Sequence, residues 1–233
     1  MRILSWNAPG FNSQPLDNPP RKKCRARLCI SFWGGLKIGT VVFEFQFDMT
    51  KIPGFTPRIA QPSDVRDIME LMNLSIELNM RAFLSQAQIE ANKESMGLDQ
   101  TLIEDRTYFV VEAEKKGKTV IIGCGGWGKR RTLYGGNHTI GRDDDFANPE
   151  IEPARIRAMY THPEWVRQGV GSLLLDVAEN AAREAGFKVI ELGSTLPGEP
   201  LYLARGYVEL LREERMAANG HKNIIIKMSK SLV

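Results

Sequence analysis

Apolar and polar positions in this chain follow two rhythms, and the switches between them mark its elements. Thr107–Ala113 and Val120–Trp127 read as strands joined by a turn at Lys115–Lys118 around Gly117, a hairpin. Arg155–Thr161, Val189–Gly193, Tyr207–Leu211 and Asn223–Met228 read as further strands, and Arg58–Ala60 as a short one. Helical spacing appears in Val65, Ile68, Met69, Met72 and Ile76 behind a cap at Ser63. Ser85 and Gln88 form a capping box for a second helix running to about Ser95, and Asp99 caps one more turn. Leu173, Leu174, Val177, Ala178, Ala181, Ala182 and Ala185 make a long apolar face that Gly186 closes. Pro200–Arg205 is a short helix stopped by Gly206. The order from Phe55 onward is therefore β-α-α-β-β-β-α-β-α-β-β. Residues 128–153, rich in Gly, Pro and charge, form a long loop, a length associated with function or motion.

The first 55 residues differ in character. Pro9, Pro15, Pro19 and Pro20 interrupt residues 1–20, and Arg21–Arg27 is a basic cluster. Thr40–Asp48 alternates, with Phe43, Phe45 and Phe47 on one face and Glu44, Gln46 and Asp48 on the other, as a strand does. The division expected is an N-terminal extension over 1–55, partly disordered with one strand, and one folded domain over 56–233. Of 31 Lys/Arg and 28 Asp/Glu, the extension holds 8 and 3, so the folded part is slightly acidic. That argues against nucleic acid as a partner of the domain. No apolar run reaches the ~20 residues of a membrane helix, and the N-terminus lacks the apolar core of a secretory signal. No membrane association and a cytoplasmic setting are expected. Cys24, Cys29 and Cys124 are too scattered for a disulfide framework or a four-ligand zinc site, so no metal is expected.

The chemistry concentrates in Pro163–Leu175. A strand ends, a turn with Gly169 and Gly171 follows, and a helix begins at once. The first turn of a helix leaves backbone N–H groups without intrahelical partners, and glycine lets a ligand approach them. With the helix dipole, such a unit cradles phosphate or pyrophosphate. The spacing is not that of a P-loop, since no lysine follows Gly171; nor is it GxGxxG, since Leu174 stands where the third glycine belongs.

The turn is similar to the x-R-x-G-x-G segment of the GNAT superfamily of N-acetyltransferases. Further matches are Arg58–Ala60 leading into Ser63-Asp64, Thr161-His162-Pro163 ahead of the cradle, and Tyr202–Tyr207, which resembles the family's Y-x-x-x-G-[FY] segment. Gly125–Trp127, Arg130–Gly136 and Thr195–Gly198 are similar to a widespread, mainly bacterial subset of unassigned substrate. The resemblance covers about residues 56–230. It implies an α+β fold whose mixed, mostly antiparallel sheet is splayed between its fourth and fifth strands and flanked by helices. It also implies acetyl-CoA as co-substrate. Backbone groups of Met159, Tyr160 and Thr161 would pair with the pantetheine arm. N–H groups of Arg167, Gln168, Gly169, Val170 and Gly171, with Ser172, would hold the pyrophosphate, and Thr195 would meet pantetheine. Val166 and Thr195 depart from the family's usual Gln or Arg and Asn. Tyr202 takes the place of the general acid, and otherwise packs the short helix on the sheet.

An amine acceptor needs a base. Glu191 is the first candidate and Glu112 the second; either could equally be a solvent-facing strand carboxylate. His162 shapes the turn before Pro163. Arg130 and Arg131 with Asp143–Asp145 flank the expected acceptor entrance, and Trp127 and Tyr134 either line the pocket or cover the hairpin. The function expected is direct acetyl transfer to a primary amine of a small or amino-acid-like molecule. Alternatives are a non-catalytic acyl-CoA-binding or sensing module, and a nucleic-acid partner acting through residues 21–27. Strand edges at Phe43–Phe47 or Ile224–Lys227 offer a route to a homodimer.

Overall fold

The computed structural model describes Ile52 and residues 54–233, so the strand expected at Thr40–Asp48 and the basic cluster Arg21–Arg27 lie outside the described residues. Among the described residues seven strands form one sheet: β1 (Phe55–Ile59), β2 (Tyr108–Lys115), β3 (Lys118–Gly128), β4 (Ala154–Thr161), β5 (Val189–Ser194), β6 (Val208–Met216) and β7 (Lys222–Ser231), in spatial order β1-β2-β3-β4-β5-β7-β6. Every neighbouring pair is antiparallel except β4–β5, which is parallel and pairs only at Ala154↔Ile190 and Arg155↔Glu191. Beyond those two rungs the strands part, so the sheet is splayed between its fourth and fifth strands as the resemblance implied.

The helices lie on the two faces. On one, α4 (Val170–Glu184) buries Leu173, Leu174, Leu175, Val177, Ala178 and Ala182 in a core with Ile156, Ile190, Leu192, Ile226 and Met228. On the other, α1 (Val65–Leu74) buries Ile68, Leu71 and Met72 against Tyr108, Val110 and Cys124. Met69, expected on that buried face, is exposed, and Leu71 fills the stripe instead. The cap also differs from expectation: Pro62 starts a 3-10 turn one residue before Ser63, and Asp64 reaches back to accept from Gln61 N–H at 2.7 Å. Past α1 the helix widens into a π turn over Ser75–Asn79. The helix α2 (Gln86–Lys93) begins at the Ser85/Gln88 capping box, and α3 (Gln100–Glu104) begins at Asp99, both as the sequence predicts. The last helix, α5 (Glu199–Ala204), sits between β5 and β6.

One expectation about the sheet edges needs correction. Ile224–Lys227 is not an edge: β7 is hydrogen-bonded on both sides, to β5 and to β6. A strand with both ladders filled has no free N–H and C=O row to offer another chain. Among the described residues the sheet edges are β1 and β6. The loop over residues 128–153 is tied to the body of the domain. A bridge joins Arg130 to Phe146, and Arg130 grips Asp105 through two bonds of 2.7 and 2.9 Å. No helix among the described residues is long and apolar enough to cross a membrane.

Candidate active site

The cleft opens where β4 and β5 diverge. Among the described residues, β4 has no strand partner from Ile156 to Thr161 on the side turned to β5. Between Cys124 and Gly126 the β3–β4 register shifts, so that Ala158 and Met159 together face Gly125. This is a bulge, and Ala158 adopts φ +49° to make it. The glycines of β3 permit it. A Cβ on Gly125 would lie 2.2 Å from the Met159 sulfur, and one on Gly123 would lie 2.3 Å from Val170 at the head of α4. The run Gly123-x-Gly125-Gly126 thus lets the bulged strand and the helix start approach the sheet closely.

The cradle is built on backbone. A 3-10 turn (Pro163–Trp165) is followed by Val166–Gly169, in which Arg167 has φ +62° and Gly169, the residue capping α4, has φ +92°. Among the described residues, the backbone N–H groups from Val166 to Ser172 have no hydrogen-bond partner, whereas Leu173 N–H already bonds Gly169 O at 2.9 Å. Arg167 and Gln168 are exposed. Gln168 holds the turn by donating to Glu164 O at 2.9 Å, and His162 accepts from Glu164 N–H at 3.2 Å, which is the turn-shaping role expected of it. Gly171 lets α5 pack close, since a Cβ there would sit 2.9 Å from Leu201.

The cleft has a volume of about 110 Å³, and Met159, Tyr160, Thr195 and Tyr202 line it. Tyr202 stands on α5 with its ring edge-on to Tyr207 at 5.6 Å. Its hydroxyl has no hydrogen-bond partner among the described residues, and burial pushes its ionisation well above the ordinary phenol value. Tyr160 OH accepts from Gly97 N–H at 3.1 Å, and Thr161 O accepts from Asn79 at 2.8 Å. Of the three β4 residues expected to pair with pantetheine, Thr161 therefore has its carbonyl already engaged. Thr195 O accepts from Gly198 N–H and Glu199 N–H, so this residue braces the turn ahead of α5 as well as forming part of the wall.

The carboxylates expected as bases are placed otherwise. Glu191 lies at the closed end of the splay, where Arg155 donates to it at 3.0 Å and Lys227 sits at 3.1 Å. It is absent from the cleft lining. Glu112 is held by Arg58 on the edge strand, which also grips Asp64. Arg131 is paired with Glu152, and Arg130 with Asp105, so neither turns a free cation toward the cleft. Tyr134 does line it, whereas Trp127 packs edge-on against Phe187 in the core.

Sequence reasoning missed the cluster that anchors this wall. Arg157, 3% exposed, donates to Asp99 at 2.8 Å and to the carbonyls of Thr132 and Gly135. Asp99, fully buried, also accepts from Arg142 at 3.0 Å. Only the capping role of Asp99 is visible locally, because its cationic partners lie 43 and 58 residues away. Among the described residues no group of three or more His, Cys, Asp or Glu is placed to hold a metal ion.

Residues 104–209 match the acetyltransferase (GNAT) domain family. The match spans just under half of the chain, and over those residues, which hold the cradle and the splay, the chain is similar to that family. The fold is shared with a GCN5-related N-acetyltransferase of Rhodopseudomonas palustris, at 21% identity and a TM-score of 0.53 over 76% of this chain and 94% of that one. An N-acetyltransferase of Staphylococcus aureus aligns at 15% identity and 0.52, over 77% and 99%. The yncA protein of Salmonella typhimurium, solved with its cofactor acetyl-CoA, aligns at 18% and 0.50, over 77% and 95%. No curated protein sequence matches the chain significantly.

Proposed function

We propose that the protein transfers an acetyl group directly from acetyl-CoA to a primary amine of a small or amino-acid-like acceptor. The observation that carries this reading is the run of N–H groups from Val166 to Ser172 that have no partner among the described residues, set at the head of α4 beside the β4 edge that is unpaired among those residues. Converging backbone donors at a helix start fit a pyrophosphate. The free β4 edge at Met159 and Tyr160 fits an amide-bearing arm laid alongside as an added strand, and Thr195 would meet that arm from β5. The yncA protein, with its bound acetyl-CoA, has the same fold and supports the choice of cofactor.

In this reading the amine nitrogen attacks the thioester carbonyl carbon, the C–N bond forms, and the C–S bond breaks. Tyr202 donates its proton to the departing sulfur, the nitrogen releases one proton to solvent, and Tyr202 regains one from solvent, leaving the acetamide and the free thiol. A phenol whose ionisation burial has raised stays protonated through neutral pH, which suits a donor and not a base. Glu191 has no part in this version of the step, because Arg155 and Lys227 hold it outside the cleft lining. The test is free-thiol release from acetyl-CoA with a panel of amines. Release that requires both the amine and an intact Tyr202 is the expected result. Protection against unfolding by CoA, with no thiol release from any amine, would leave an acyl-CoA-binding module in its place.

A further inference from the structure

The bulge in β4 is held by a side chain two strands away. Tyr108 begins β2 and is fully buried, packed in the core between the sheet and α1. Its hydroxyl reaches across β3 and donates to Ala158 O at 2.7 Å. Gly126 leaves room for it, since a Cβ there would lie 3.0 Å from the Tyr108 ring. Ala158 has φ +49°, a left-handed conformation that costs a residue with a side chain roughly 1–2 kcal/mol. Such a conformation persists only where the surrounding structure enforces it. Burial raises the ionisation of the Tyr108 phenol well above the ordinary value, so the hydroxyl keeps its proton and remains a donor.

The direction of that bond decides what the bulge presents. The Ala158–Met159 peptide is trans, so its C=O and N–H point opposite ways. With Ala158 O turned back over β3 toward Tyr108, Met159 N–H is turned to the β5 side, where the strands part. Ala158 and Met159 both line the cleft. Two residues on, Thr161 is oriented alike. The bond of 2.9 Å from His162 N–H to Ile122 O makes Thr161↔Gly123 a pair of the non-hydrogen-bonded kind, so the Thr161 backbone groups face away from β3. Its carbonyl there is taken by Asn79. Resting on the acetyltransferase reading above, we infer that Tyr108 is a positioning residue: its hydroxyl sets the plane of the Ala158–Met159 peptide so that Met159 N–H meets the oxygen of the thioester carbonyl. Attack by the amine turns that oxygen into an oxyanion, and a backbone donor fixed in advance stabilises it without reorganisation. A hydrogen bond onto the C=O of a peptide also polarises its N–H, so the phenol strengthens the donor that it aims. Tyr202 acts at the sulfur; Tyr108 acts, through one peptide, at the oxygen.

The experiment compares Tyr108→Phe with the unaltered protein by infrared difference spectroscopy of bound acetyl-CoA, isotope-labelled at its carbonyl carbon. In the unaltered protein the bound carbonyl should stretch at a lower frequency than in free acetyl-CoA. Tyr108→Phe should move it back toward the free value. With the most active amine of the panel above, kcat should fall roughly tenfold to a hundredfold, part of the ~10²–10³ that a whole oxyanion donor is worth. KM for acetyl-CoA and the affinity for free CoA should stay as they are, because the cradle at the head of α4 is untouched. An unmoved carbonyl stretch in a folded variant would overturn the inference. So would a loss of affinity shared by free CoA, which marks a collapsed wall and not a misaimed donor. If Tyr108→Phe does not fold, the unaltered protein decides, through the amide resonance of isotope-labelled Met159, assigned with Met159→Leu. That resonance should move downfield with acetyl-CoA and not with free CoA; an equal response to both would overturn the inference. Binding of neither ligand is a separate failure, which would remove the acetyltransferase reading and this inference with it.

Discussion

Single side chains divide here into those that face the cleft and those that hold its walls. Tyr202 belongs to the first kind: it is buried, edge-on to Tyr207, with its hydroxyl unpartnered among the described residues. Tyr202→Phe should lower turnover by ~10²–10⁴-fold while acetyl-CoA affinity stays unchanged. Equal turnover in a folded variant would end its role as acid. Because its folded ionisation lies above the ordinary phenol value, loss of the donor should not appear as a falling limb below about pH 10, the ordinary tyrosine value. Asp99 belongs to the second kind. It is the buried anion for Arg157 and Arg142, and Asp99→Asn leaves Arg157 without its charge partner. Removing one member of a buried pair costs about 3–5 kcal/mol, measurable by denaturant unfolding. A loss under about 1 kcal/mol would mean the cluster is dispensable, as exposed ion pairs are. Cys124 is buried beside Tyr108, and burial pushes its thiol up to about 12, so it should resist thiol reagents in the folded protein.

At the scale of elements, the cradle depends on conformations that side chains disfavour. Gly169 has φ +92°, and a Cβ there would also come within 2.8 Å of Ile52. Gly169→Ala should cost roughly 1–2 kcal/mol from the left-handed backbone alone and should weaken acetyl-CoA binding. Melting and calorimetry together check it; unchanged affinity would detach the turn from the ligand. The loop over residues 128–153 is pinned by Arg131 on Glu152, whose carboxyl is held down to about 2 by that guanidinium and by Asn148 N–H. A depressed folded value means the pin is present above the ordinary carboxylate range and is lost as pH falls through the folded value. The carboxyl resonance of Glu152 should therefore titrate near 2, and a midpoint near the ordinary 4.5 would show the pin absent.

Over the whole molecule, what could be read from the sequence was what local spacing encodes. The alternation of β2 and β3, the stripe of α4, the Ser85/Gln88 box and the Gly-bearing turn each have a short-range signature, and each reappears where expected. The splay followed from the resemblance, and two rungs between β4 and β5 bear it out. Long-range partnerships had no local trace. Glu191 reads as an available carboxylate until Arg155 and Lys227 close on it, and β7 reads as an edge until β6 folds back beyond it. The Asp99–Arg157 pair and the Tyr108–Ala158 hydrogen bond likewise exist only once distant segments meet. One measurement tests the account's centre most directly: isothermal calorimetry of the purified protein with acetyl-CoA and with free CoA. The account predicts one site for each, weakened by Gly169→Ala. No heat with either ligand at millimolar concentration would contradict it.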